Sequence, residues 1–213
     1  MSMTRNRFKL VLITLLLVGS LGALFSVSGG VSAGINAAPT TTVMVMDFDS
    51  FGGVKVMNPQ KRGESDLARS LDGIAMNIDT TDLPVGAYTV WWVIFNNPSA
   101  CTGENGACVA ADTGKAVGNP TEAGVLWATG GIVGPDRIGH FSASLGLGVD
   151  AAPGPVLRGP GLTNPLGADV HLIVRYHGPA KFSDPIPLAE QITTVGGTCD
   201  EFPCFDPQVA IHD

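Results

Sequence analysis

Positive charge is scarce in this chain, with 12 Lys and Arg against 19 Asp and Glu in 213 residues. Three of the 12, Arg5, Arg7 and Lys9, stand together near the start, and the others are scattered singly apart from Lys61-Arg62. No basic patch exists that could neutralise a phosphate backbone, which argues against nucleic acid as a partner. Long apolar runs are also missing. The apolar run dominated by Leu, Val and Ile, residues 10–25, has 16 residues, short of the ~20 that cross a bilayer as a helix. The first 33 residues hold no cysteine, so a bacterial lipoprotein lipid has no attachment point. Gly and Pro are abundant, at 28 and 15 residues, but recur at no fixed period, which excludes a collagen-like or solenoid chain. Neither a P-loop nor a dinucleotide fingerprint occurs.

What is present at the start is an export signal. The basic trio is followed by the Leu-, Val- and Ile-rich stretch, and Val31-Ser32-Ala33 offers the small residues that signal peptidases accept. Residues 1–33 therefore read as a signal peptide, with a mature chain starting near Gly34 and a secreted or periplasmic destination. An uncleaved signal segment would be the only membrane contact. Its removal leaves nine basic and 19 acidic residues, a net charge of −10. Such acidity suits a soluble protein in an extracytoplasmic or saline setting.

About 180 mature residues fit one domain, here residues 42–213 after a flexible stretch at 34–41. Short runs rich in β-branched and aromatic residues, bounded by Gly, Pro, Asn or Asp, cover residues 42–46, 74–78, 87–95, 124–128, 138–145, 170–176 and 208–211. They predict about seven or more strands. Only residues 65–71 suggest a short helical turn. The expected fold is all-β, an antiparallel β-sandwich with long disulfide-pinned loops.

Residues 87–95 are apolar at both odd and even positions, which marks a central strand covered on both faces. Trp91 and Trp92 then point to opposite sides, one into the core and the other under a loop or onto an aromatic platform. Residues 170–176 alternate, with Val170, Leu172, Val174 and Tyr176 on one face. Asp169, His171, Ile173, Arg175 and His177 share the other, the one dense polar row in the sequence. His171 and His177 are about 20 Å apart along a strand, too far to share an ion. A metal site needs His140 or His212 brought beside one of them, and His140 with His171 is the candidate pair for a transition metal. Alternatively, His171 and Arg175 simply bond neighbouring acids or carbonyls.

Four cysteines form two close pairs, Cys101 with Cys108 and Cys199 with Cys204, each in a turn-rich loop. In an exported chain this spacing points to two local disulfides, although pairing between the loops is also compatible with the sequence. Each small ring contributes about 2 kcal/mol on the chain-entropy model. Three catalytic motifs are matched out of context. Gly30-Val31-Ser32-Ala33-Gly34 imitates a nucleophile elbow but straddles the cleavage site. Asp112-Thr113-Gly114 copies the aspartic-protease tripeptide in one copy, where that chemistry needs two carboxylates sharing a proton. Asp47-Phe48-Asp49-Ser50 begins like a calcium loop, with Phe51 and Asn58 at positions that require oxygen ligands and a bidentate Glu.

Residues 88–95 running into Asn96-Asn97-Pro98 and Cys101, then Leu126-Trp127-Ala128-Thr129-Gly130-Gly131, Gly139-His140-Phe141 and Asn164-Pro165-Leu166-Gly167-Ala168, form a pattern over residues 83–212. In this pattern the chain resembles a family of exported bacterial β-rich proteins with no established activity. The resemblance implies export and a shared β fold, and no mechanism. Two functions fit the residues. The preferred one is a non-catalytic extracytoplasmic binding or structural module, without a cofactor, whose loops at 96–121, 146–167 and 178–207 face an extracytoplasmic ligand or protein. The other is a secreted metalloprotein or metal-dependent enzyme centred on His140 and His171.

Overall fold

A computed structural model describes residues 39–48, 60–114, 118–148 and 156–213. The signal segment, the elbow-like motif and most of the calcium-like loop lie outside the described residues. Among the described residues nine strands form: β1 (Thr40–Asp47), β2 (Lys61–Ser70), β3 (Gly73–Thr80), β4 (Gly86–Phe95), β5 (Ala123–Val133), β6 (Gly139–Gly146), β7 (Val156–Arg158), β8 (Asp169–Tyr176) and β9 (Phe205–His212). One α-helix, α1 (Pro185–Thr193), lies between β8 and β9. Each of the seven expected runs falls within a strand, give or take a residue at its ends.

The expected division into two packed sheets is corrected by the pairing. All nine strands belong to one antiparallel sheet in the order β6-β3-β2-β1-β9-β8-β4-β5-β7. The sheet curls into a half-barrel that brings β6 back against β5. Phe141 on β6 packs with Tyr88 on β4, ring centroids 6.3 Å apart. A strongly twisted sheet of this size curls to bury one face against itself, so a second sheet is not required. Tyr88, Val90, Trp92 and Ile94 of β4 meet Val170, Leu172 and Val174 of β8 on the concave side, together with Leu67, Ile78 and Leu126. Full burial of each such side chain stabilises the fold by about 1.5–3 kcal/mol.

The expected helical turn at residues 65–71 is instead the end of a ten-residue strand, β2. Ser65, Leu67 and Arg69 share its buried face, so Leu67 is the one apolar side chain there and the period-2 pattern is hidden. Ser65 and Arg69 are buried because their partners come from the far end of the chain. Ser65 Oγ lies 2.9 Å from His212 Nε2, and Arg69 Nη2 donates to the His212 carbonyl at 3.2 Å.

The convex side of β4 is covered too, as its double-sided apolarity requires. Helix α1 packs against β4 and β5. Asp184 caps it by accepting from Ile186 N at 3.3 Å, and Pro185 opens it, a position where a missing N–H costs nothing. A Cβ on Gly130 would fall 1.9 Å from the Ile192 carbonyl oxygen, so only glycine lets the helix end approach β5 this closely. Trp127 Nε1 donates to that same carbonyl at 3.0 Å. At the other end of β4, Phe95 packs with Cys108 and Ala123 under the loop of the first disulfide.

Candidate functional site on the convex face of β8

Alternation along β8 is as the residues predict, but its polar row is covered. Asp169, His171 and His177 are buried, and Arg175 is half-buried. At one end, His171 Nε2 lies 3.1 Å from Asp169 Oδ1. The angle is too poor for a hydrogen bond, so both atoms are buried without a hydrogen-bond partner. The His171 ring packs edge-on to Phe95, centroids 5.2 Å apart. Arg175 bonds an acid and a carbonyl, donating through Nη1 to Asp206 at 2.7 Å and through Nε to the Val195 carbonyl at 3.0 Å.

His177, directly after β8, is fully buried. Its Nε2 lies 2.8 Å from Thr89 Oγ1, which accepts from Trp91 Nε1 at 2.7 Å. Trp91 is thus packed beneath the outer layer, and Trp92 is in the core; neither forms an exposed platform. The His177 carbonyl accepts from Gln191 Nε2 on α1 at 3.1 Å and from Thr198 Oγ1 at 3.2 Å. Burial, assisted by the Arg175 charge, pushes the His177 pKa down to about 4, which keeps the imidazole neutral.

His140 does not meet His171. It lies exposed on β6, where Nδ1 contacts Asp79 Oδ1 of β3 at 2.5 Å, five strands along the sheet from β8. Each imidazole therefore has its own carboxylate. His212 is buried on the concave side between Thr41 Oγ1 and Ser65 Oγ, each 2.9 Å away. Both cysteine pairs are bonded as their spacing predicts, Cys101 with Cys108 and Cys199 with Cys204. Asp112 of the protease-like tripeptide acts as a staple for the first loop. It accepts from Thr102 Oγ1 at 2.5 Å and from Val109 N at 2.9 Å, and the Thr102 bond holds its carboxyl below the usual range.

Among the described residues, one group of three or more His, Cys, Asp or Glu side chains has its donor atoms close enough to hold a metal, and it contains neither His140 nor His171. It is His177, Cys199 and Cys204, whose nitrogen and sulfur atoms all lie within 4.8 Å of one another. His177 Nδ1 faces Cys204 Sγ at 3.4 Å and Cys199 Sγ at 3.8 Å. From the sequence, these cysteines belong to a disulfide and His177 to the polar row, 22 and 27 residues away. Their meeting depends on α1, which returns the chain over the end of β8. Comparison with known proteins finds no family model and no curated protein that matches the chain. Among the described residues no helix is long and apolar enough to cross a membrane.

Proposed function

We propose that this is an exported, non-catalytic binding or structural protein, with a signal peptide at residues 1–33 and one β domain over residues 42–213 that presents disulfide-pinned loops to an extracytoplasmic ligand or protein. Kinship with exported bacterial β-rich proteins belongs to the same proposal. The observation that carries it is how the reactive side chains are used. Asp112 staples a loop, His212 bridges two hydroxyls, His177 is sealed beneath a disulfide, and Arg175 is spent on Asp206 and a carbonyl. Catalysis requires a nucleophile or base with an open approach, and groups committed in this way have none. Two local disulfides with no free cysteine suit an oxidising compartment.

The test is to express the full chain in a bacterial host and recover the exported product. We expect an N-terminus at Gly34, no free thiol, and saturable binding to a component of a glycan, peptide or cell-wall panel without its conversion. A chain retained in the cytoplasm, or turnover of a panel substrate, would overturn the reading.

A second reading, a secreted metalloprotein or metal-dependent enzyme, draws support from one feature. Asp169 Oδ1 and His171 Nε2 are buried side by side without hydrogen-bond partners, the situation of two ligand atoms awaiting a cation. Copper, zinc or iron at one equivalent per chain in the purified protein, absent from His171→Ala and present in His140→Ala, would favour this reading with His171 alone as the imidazole ligand. Loss in both variants would require His140 and His171 together.

A further inference from the structure

We infer that reduction of the Cys199–Cys204 disulfide converts the loop over β8 into a zinc site formed by Cys199, Cys204 and His177. The inference stands apart from the binding function proposed above and from the His171 reading. Its basis is geometric. Tetrahedral zinc with sulfur at ~2.3 Å and nitrogen at ~2.0 Å places its donors about 3.5–3.8 Å apart. Nδ1 of His177 already stands at 3.4 and 3.8 Å from the two sulfurs. Only the sulfur–sulfur separation has to widen, from a bond to a non-bonded contact. The Cys-x4-Cys spacing lies within the range of zinc-binding cysteine pairs.

The surroundings fit a metal-bound imidazole. Nε2 is anchored on Thr89 Oγ1 at 2.8 Å, and such an outer partner fixes ring orientation in metal-ligating histidines. Gly197 keeps the space beside Nδ1 open, since a Cβ there would fall 2.5 Å from that nitrogen, and its φ of +45° suits glycine. Charge selects the ion. Two thiolates and a neutral imidazole around a divalent cation carry no net charge, whereas a monovalent ion would leave a buried anion. The nearest cation, Arg175, is already paired with Asp206 at 2.7 Å and has no charge to spare. Cys204 is buried and Cys199 half-buried, so water can reach the fourth position from the Cys199 side.

The chemistry balances in two steps. An external dithiol reduces the disulfide, giving two cysteine thiols and leaving as its own cyclic disulfide. Zinc then displaces the two thiol protons into solvent. Thr89 Oγ1 accepts from Trp91 Nε1 and has a second lone pair with which to accept from His177 Nε2. With zinc bound, the Nδ1 lone pair faces the metal, and Nε2–H donates to Thr89 Oγ1. The imidazole proton count is unchanged. Zinc and the disulfide are therefore alternative ways of closing the same loop.

The test uses the exported protein carrying Cys101→Ser and Cys108→Ser, which leaves one thiol pair. It is reduced with a dithiol, desalted without oxygen and titrated with zinc against a chromophoric chelator. We expect one equivalent bound per reduced chain and none by the oxidised chain. Thr89→Val should weaken binding by about 10–100-fold, and Cys199→Ser/Cys204→Ser should abolish it. Cobalt in place of zinc should give thiolate charge-transfer bands and a tetrahedral ligand-field spectrum, both unchanged in His171→Ala. Three results would overturn the inference: a folded reduced chain that takes no zinc, binding that survives the double serine change, or a reduced chain whose near-UV dichroism is lost and not restored by zinc.

Discussion

His212 illustrates how a polar residue is carried inside this fold. Both ring nitrogens face hydroxyls, Thr41 on one side and Ser65 on the other, and the backbone carbonyl accepts from Arg69. Burial, with the Arg69 charge nearby, pushes its pKa from 6.5 down to about 4. The folded state therefore holds the neutral form, while the unfolded chain takes up a proton below pH 6.5. The resulting stability is fully present above the unfolded pKa and is lost as pH falls toward the folded one. Each pH step of one between those two values removes about 1.4 kcal/mol, so the loss by pH 4 is about 3 kcal/mol from this residue. Urea midpoints measured from pH 7 to pH 4 should fall through this window. In His212→Gln, which keeps polar groups but cannot take the proton, the same series should be flatter by about that amount. An identical slope in both proteins would mean that His212 is solvated in the folded state.

At the scale of elements, what was legible in the sequence and what was hidden divide along physical lines. β4 and β8 announce themselves because their buried faces are apolar and their period is intact. β2 does not, since its buried face carries Ser65 and Arg69, both of which bond to His212, more than 140 residues away. Helix α1 was hidden by Pro185 and Pro187, which read as loop residues although both lie in its first turn, where proline is tolerated. The candidate site was hidden for the same reason. His177, Cys199 and Cys204 meet only because α1 doubles the chain back over β8, and nothing in local spacing reports that return. Gly130 is the contact on which this packing depends. Its φ is ordinary, so Gly130→Ala imposes no backbone strain, and any penalty comes from the added methyl meeting the Ile192 carbonyl. We expect a loss of about 1–3 kcal/mol as the helix end is pushed outward. The Trp127 hydrogen bond to Ile192 should break with it, seen as a shift in tryptophan fluorescence. Unchanged stability and emission would show that α1 is held by other contacts.

For the whole molecule, the question is what holds the curled sheet together, and the covalent links are poorly placed to do so. The disulfides span sequence separations of 7 and 5, whereas the sheet is joined by pairings such as Met46 with Val209 and Val170 with His212. Each ring constrains only its own loop in the unfolded chain, about 2 kcal/mol apiece on the chain-entropy model. By contrast, β8 is hydrogen-bonded to β4 along one edge and to β9 along the other, with Leu172 and Val174 sealed inside. The loops should therefore open before the sheet does. Replacing all four cysteines with serine should lower stability by about 4 kcal/mol and leave the far-UV β signal in place. In hydrogen exchange, amides of residues 101–114 and 194–204 should lose protection, while those of β4 and β8 keep it. Parallel loss of protection in β8 would mean that the outer loops clamp the central strands, and the second loop would then be a structural closure for the sheet as well as a site above it.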